Sequence, residues 1–239
     1  MNVMGVKQRQ RRLSRSPEEK GQMDTIANDF TINIATANGT GSQSANLILL
    51  QSLFDMGVPV SGKNLFPSNI SGLPTWYIVR LSDRGYQAPG DRTHIQILVN
   101  KATWEEDLAA LEPGSVVVWN MDSKMPVERE DIISYPVPMT KLARSLNPKL
   151  SKLVTNIVYV GVLAELLGIT DEALNKAVAG QFKGKTSAIE LNINALELGR
   201  NYAKENFTKT DPYVVEPRPI EKKRFFMEGN EAAALGCIF

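Results

Sequence analysis

One cysteine, Cys237, and one histidine, His94, are all that the 239 residues hold of the strongest metal-ligating side chains. A single thiol rules out a disulfide framework. It also rules out a zinc or iron–sulfur site built from this chain's own thiolates, and one imidazole makes a histidine-based metal site equally poor. These scarcities fit a reducing compartment, and a cytoplasmic location is expected. Charge imbalance is missing too. Lys and Arg number 27 against 26 Asp and Glu, a net charge of +1, so no field drawing in nucleic acid is expected, and no aromatics interleave with Lys and Arg. No apolar run reaches the roughly 20 residues that span a bilayer. The richest, Leu153 to Leu167, is broken by Thr155, Asn156 and Glu165, and no membrane contact is expected.

What remains is ordinary globular composition, 43% hydrophobic and 22% charged, enough for one sizeable core. Residues 1–28 read as a disordered basic extension, with Lys7, Arg9, Arg11, Arg12 and Arg15 before the first acid, Glu18. Phe30 to Thr36 alternates as a strand. Ser44 to Met56 is apolar on almost every side and reads as a buried helix, with Gly57 placed to end it. Val58 to Thr75 is rich in Gly, Pro, Ser and Asn and reads as a long functional loop.

Further along, strands are expected at Trp76 to Ser82, His94 to Val99, Ser115 to Trp119 and Ile132 to Val137. Thr103 to Glu106 has the capping-box pattern of a short helix. Asn147-Pro148 reads as a cap and first residue of a helix ending at Gly168. Thr170 and Ser187 read as caps of two more helices, the last carrying an Ala188, Leu191, Ala195, Leu198, Tyr202 stripe. Prolines after Phe207 read as a linker, residues 207–224, and a new segment begins at Phe225. The fold class expected is α/β: a three-layer sandwich with a mainly parallel or mixed central sheet and a helical C-terminal third.

The stretch Asn38 to Asn46, NGTGSQSAN, sits between strand and helix. Glycines let the backbone approach a ligand closely, and a helix start offers free N–H groups and the positive dipole end, so the stretch suits an anion. It is not a dinucleotide fingerprint: Ser44 holds the place of the third glycine, and no acid follows about 20 residues later. A tight turn capped by Ser42 or Ser44 is the plainer alternative. Phe182 to Ser187 is not a P-loop, because Gly180 and Gly184 enclose three residues where four are needed and a helix precedes them. His94 reads as structural. Glu105, Glu106 and Asp107 read as a first turn complementing the helix dipole. No catalytic or metal-binding residue is expected.

The run NGTGSQSANLILLQSLFDMGVPVSGKNLFPSNISGLPTWYIVRLSD, with Phe182-Lys-Gly-Lys and the terminal MEGNEAAALGCIF, resembles the alpha subunits of 2-oxoacid:ferredoxin oxidoreductases. In that branch a gamma-type domain precedes the thiamine-binding core. The resemblance implies a gamma-type domain at residues 29–206 and, at 225–239, the start of an incomplete thiamine-binding domain. It implies conversion of a 2-oxoacid, coenzyme A and oxidised ferredoxin to acyl-CoA, carbon dioxide and reduced ferredoxin, with 2-oxoglutarate or a branched-chain 2-oxoacid as substrate. Thiamine diphosphate, magnesium and an iron–sulfur cluster would belong to the full complex and not to this chain alone. A thiamine-binding beta subunit would be the partner, and ferredoxin would be reached through the complex. The gamma-type domain would cover the active site and contact coenzyme A. On that reading Gly39, Thr40, Gly41, Ser42 and Gln43 line the coenzyme's path, and Lys63, Asn64 and Arg80 neutralise its phosphates. The competing expectation is a non-catalytic nucleotide- or subunit-binding α/β domain.

Overall fold

The computed structural model describes residues 25–66, 74–220 and 224–238; the basic stretch before Asp24 therefore lies outside the described residues. Among the described residues, eight strands and seven α-helices are laid down in the order β1 (Ile26–Ala27), β2 (Phe30–Ala37), α1 (Ser42–Asp55), β3 (Val60–Leu65), β4 (Pro74–Leu81), β5 (Ile95–Leu98), α2 (Trp104–Ala109), β6 (Val116–Asn120), β7 (Ile133–Val137), α3 (Met139–Leu146), α4 (Ser151–Leu167), α5 (Asp171–Gln181), α6 (Thr186–Asn206), β8 (Tyr213–Val214) and α7 (Gly229–Ile238). The main sheet runs β3-β4-β2-β5-β6-β7. β2, β5, β6 and β7 are parallel, while β4 is antiparallel to both β2 and β3. The sheet is thus mixed, as one of the two expected forms.

Side-chain alternation sorts the sheet into two unequal faces. Phe30, Ile32 and Ile34 of β2, with Ile95, Ile97, Val116 and Val118, pack under α1, α3, α4, α5 and α6 in one large core. Among the described residues, the opposite face, built from Ala35, Leu98 and Val117, carries α2 and the chain leading to β7. That thin layer is held by three tryptophans. Trp104 is buried and meets Trp119 edge to face at 5.9 Å. Trp76 donates to Asp107 at 2.7 Å, and Trp119 to Ser134 at 2.8 Å. No single helix among the described residues is long and apolar enough to cross a membrane.

Several local expectations are corrected. The region read as a functional loop contains β3, which pairs with β4 along its whole length. Thr103 makes no side-chain cap bond, and neither does the residue before α6, which starts at Thr186 ahead of Ser187. Asn147 does not cap α4. Its Oδ1 accepts from the amides of Lys149 and Leu150 at 3.1 Å each, shaping the turn between α3 and α4, and α4 begins only at Ser151. Thr170 does cap α5 through the Ala173 amide. Gly57 has φ +84, as its place after α1 requires. From Phe207 the chain runs as a strap along the domain: Tyr213–Val214 pairs with β1, and the Arg218 amide donates to the Met56 carbonyl at 2.8 Å.

Candidate functional site

β2 and β5 are neighbouring parallel strands whose chains leave in opposite directions. After β2 the chain crosses to α1 on the thick face; after β5 it crosses to α2 on the thin one. Such a divergence opens a crevice at the carboxyl ends of the strands, the usual ligand position in open α/β sheets. Here it is a cavity of about 570 Å³, lined by Ala37 and Thr40 after β2, Asn100 and Lys101 after β5, Asn120 and Asp122 after β6, Thr140 and Arg144 on α3, and Lys152, Thr155 and Asn156 on α4. Much of the wall is fixed by hydrogen bonds. Asn100 donates to the Thr36 carbonyl at 3.3 Å and accepts from the Ala102 amide at 3.0 Å. Asn120 donates to the Thr140 hydroxyl at 2.9 Å. The Asp122 carboxylate accepts from the Lys141 amide at 2.8 Å. Lys101, Arg144 and Lys152 are exposed at the rim, and among the described residues none of the three is in an ion pair.

Of the glycine stretch, Thr40 lines this crevice. Gly39 and Gly41 have φ +81 and +77, the left-handed region in which only glycine sits without strain. Between them, the Thr40 hydroxyl donates to the Ala37 carbonyl at 2.7 Å, closing the bend. The residue before α1 is Gly41, with no side-chain cap, and the first turn carries no acid. Ser42 and Ser44 therefore do not cap the helix. Gly39 and Gln43 are exposed and Ser42 is buried. On its other flank, Gly41 and Ser44 border a second, mainly apolar cavity of about 640 Å³ between the α3–α4 turn and the start of α6.

Of the residues singled out from the sequence, Gly39, Thr40, Gly41, Ser42 and Gln43 stand together at the bend. Lys63, Asn64 and Arg80 do not join them. Lys63 and Asn64 lie on β3, beyond β4, and none of the three lines either cavity. Arg80 is paired in register with Thr31, near the amino end of β2, where it binds the Asp29 carboxylate and the Leu81 carbonyl. The cations at the crevice are instead Lys101, Arg144 and Lys152, which come from three separate elements and share no motif. Only their places, after β5 and on the helices flanking the carboxyl end of the sheet, mark them out. Among the described residues no three His, Cys, Asp or Glu side chains stand together to hold a metal ion.

A mixed α/β sheet with a crevice at its switch point, rimmed by Lys101, Arg144 and Lys152, has the form of an open-sheet ligand-binding domain. The chain belongs to the pyruvate ferredoxin/flavodoxin oxidoreductase family, whose profile matches residues 31–202. Among solved structures it is similar to the 2-oxoglutarate:ferredoxin oxidoreductase from Magnetococcus marinus, determined with 2-oxoglutarate, coenzyme A and succinyl-CoA bound. The TM-score is 0.80 at 28% identity over 88% of this chain and 37% of that one. It is also 21% identical to the alpha subunit of 2-oxoacid:ferredoxin oxidoreductase 2 of Aeropyrum pernix, over 88% of this chain and 39% of that subunit. A gamma subunit of a keto/oxoacid ferredoxin oxidoreductase from Geobacter sulfurreducens shares the fold, with TM-score 0.61 at 20% identity, and is covered over 99% of its length. The chain thus spans well under half of the long relatives but nearly all of a separate gamma subunit.

Proposed function

We propose that this chain supplies the gamma-type domain of a 2-oxoacid:ferredoxin oxidoreductase, covering the active site and holding the phosphates of coenzyme A in the switch-point crevice. The complete reaction converts a 2-oxoacid, coenzyme A and oxidised ferredoxin to acyl-CoA, carbon dioxide and reduced ferredoxin. Thiamine diphosphate, magnesium and iron–sulfur chemistry fall to the rest of the complex, with a thiamine-binding beta subunit as partner. The observation that carries the reading is that Lys101, Arg144 and Lys152, none of them in an ion pair among the described residues, share one cavity with Thr40 of the glycine bend.

Coenzyme A bears a diphosphate and a 3′-phosphate, all anionic at neutral pH. Backbone N–H groups at the start of α1 and the side chains of Lys101, Arg144 and Lys152 would meet that charge, Arg144 through its fork of donors. Lys63 and Arg80, far from the bend, have no part in this proposal. In the assembled enzyme, Arg144→Ala and Lys152→Ala should each raise KM for coenzyme A about tenfold, as loss of a charge-assisted bond implies. Lys63→Ala should leave it unchanged. Steady-state 2-oxoacid-dependent ferredoxin reduction at varied coenzyme A measures both. An unaltered KM in Arg144→Ala and Lys152→Ala together would remove the crevice from the coenzyme's path.

A further inference from the structure

Helix α4 meets the glycine bend at three successive points on one face. Leu153 packs on Gly41, whose absent Cβ would stand 3.3 Å from the Leu153 carbonyl oxygen. Asn156 donates through Nδ2 to the Thr40 carbonyl at 2.8 Å and reaches the Thr40 hydroxyl at 3.2 Å. Tyr159 donates to Asn46 Oδ1, inside α1, at 2.6 Å. Asn156 is 1% exposed and Tyr159 0%, so removing either bond leaves a buried polar side chain unpaired, at a cost. Their targets differ. Tyr159 ties two helices together. Asn156 holds a carbonyl of the bend itself, between the two glycines, where a backbone without a Cβ has the widest choice of conformations.

We propose that Asn156 is a positioning residue, a latch that fixes the plane of the Thr40–Gly41 peptide and thereby aims the first N–H groups of α1 at the phosphorylated ligand. The inference rests on the coenzyme A reading for the identity of that ligand, but the latch acts on the bend whether or not a ligand is present. The carbonyl and the N–H of a trans peptide point in opposite directions within one rigid plane. Once Asn156 holds the Thr40 oxygen, the Gly41 N–H direction is set as well. Thr40 Oγ1, bonded to the Ala37 carbonyl, braces the same turn from the strand side. Without the latch the bend samples the alternatives open to Gly39 and Gly41, and the ligand must select one of them at a cost in apparent affinity.

The test compares Asn156→Ala with Tyr159→Phe, which removes the neighbouring buried bond of the same helix contact but leaves the bend tied. Hydrogen exchange of the full chain without ligand should be about tenfold faster at Thr40 to Ser44 in Asn156→Ala and unchanged there in Tyr159→Phe, although both lose thermal stability. In the assembled enzyme, KM for coenzyme A should rise about tenfold in Asn156→Ala, with kcat near that of the parent, and stay constant in Tyr159→Phe. Asn156→Asp keeps the volume and regains a donor only when protonated. Its protection at the bend, referenced to the intrinsic exchange rate at each pH, should therefore recover on acidification, where that of Asn156→Ala does not. Unaltered exchange at the bend in both Asn156 variants overturns the latch, whatever coenzyme A does. Faster exchange with unchanged coenzyme A kinetics, in these and in Arg144→Ala, keeps the latch and refutes the coenzyme reading instead.

Discussion

His94 and Asp107 are two described residues whose charged forms are disfavoured by burial. The Thr31 amide donates to His94 Nδ1 at 3.0 Å, so the neutral ring carries its proton on Nε2. Burial, then the charges of Arg92 and Arg80, hold its pKa below the ordinary 6.5. The folded protein takes up this proton less readily than the unfolded chain. The group's stabilisation is therefore complete above 6.5 and is lost as pH falls below that value. His94→Phe keeps a ring near Tyr213, which lies 5.6 Å away edge to face, but leaves the Thr31 amide without its acceptor. It should lower stability by about 1–3 kcal/mol at neutral pH and flatten the decline between about pH 7 and 5. Thermal melts across that range measure both; equal acid-side slopes in the two proteins would refute the assignment.

Asp107 presents the opposite sign. Its Oδ1 accepts from Trp76, but Oδ2 is buried without a partner, and burial raises its pKa above the usual 3.8. A carboxyl raised in this way contributes stability that is complete below 3.8 and is lost as pH climbs through its folded value. Asp107→Asn retains the oxygen for Trp76 and brings an amide donor near Thr103 Oγ1, itself buried and unpartnered. The variant should be about 1 kcal/mol more stable at neutral pH, read as a higher melting temperature; a lower one would mean that the carboxylate charge is compensated.

Among the elements, the crossing of α4 and α6 is the tightest. A Cβ on Gly161 would stand 2.1 Å from the Leu196 carbonyl oxygen, and one on Gly199 2.2 Å from that of Val158. Backbone meets backbone there. Gly161→Ala gains about 1 kcal/mol of helix propensity but must force the helices apart, an overpacking cost of about 1–3 kcal/mol or more. Gly180, inside α5, has nothing within 4 Å of its Cβ position, so Gly180→Ala should stabilise. Urea titrations of the two variants should move in opposite directions; a gain in both would show that α4 and α6 can separate freely.

This crossing also shows where pattern reading reaches its limit. The apolar stripe expected on α6 ran through Ala188, Leu191, Ala195, Leu198 and Tyr202, with Ile189, Ile193 and Leu196 beside it; Ala195 and Leu196 are buried, but so are Asn192, Gly199 and Ala203. Close approach selected small side chains, and hydrophobicity does not register that. β2, β5 and β6 were readable because both of their faces are covered or their alternation is clear. β3 was not: Gly62, Lys63 and Asn64 are poor strand formers on an edge. It is held by its pairing with β4 and by Tyr77 and Leu50, which fill the space where a Gly62 Cβ would go. The glycine bend was readable from its composition. The three crevice cations were not, because only the topology of the sheet brings them together.

Across the whole molecule, the proposed binding crevice and the bracing contacts lie at opposite ends of the sheet. Both cavities open at the carboxyl ends of the parallel strands. At the amino ends the two ends of the domain close on each other. β8 pairs with β1, Tyr213 packs on Phe30 with ring centroids 5.3 Å apart, and the Val215 amide donates to the Leu167 carbonyl at 2.8 Å. Asn28 is the centre of this closure. It is fully buried, has φ +54, donates to the Glu216 carbonyl at 2.8 Å and accepts from the Glu216 amide at 3.1 Å. Alanine there loses both bonds and retains a left-handed backbone that costs it about 1–2 kcal/mol. Asn28→Ala should thus lower stability by about 2–4 kcal/mol in all, yet leave KM for coenzyme A within about twofold in the assembled enzyme, since additive behaviour is expected for distant sites. Arg144→Ala should do the reverse, weakening coenzyme A and leaving the melting temperature unchanged. If Asn28→Ala raised KM for coenzyme A as much as Arg144→Ala does, the two ends of the sheet would be energetically coupled, and the strap would belong to the binding machinery as well as to the fold.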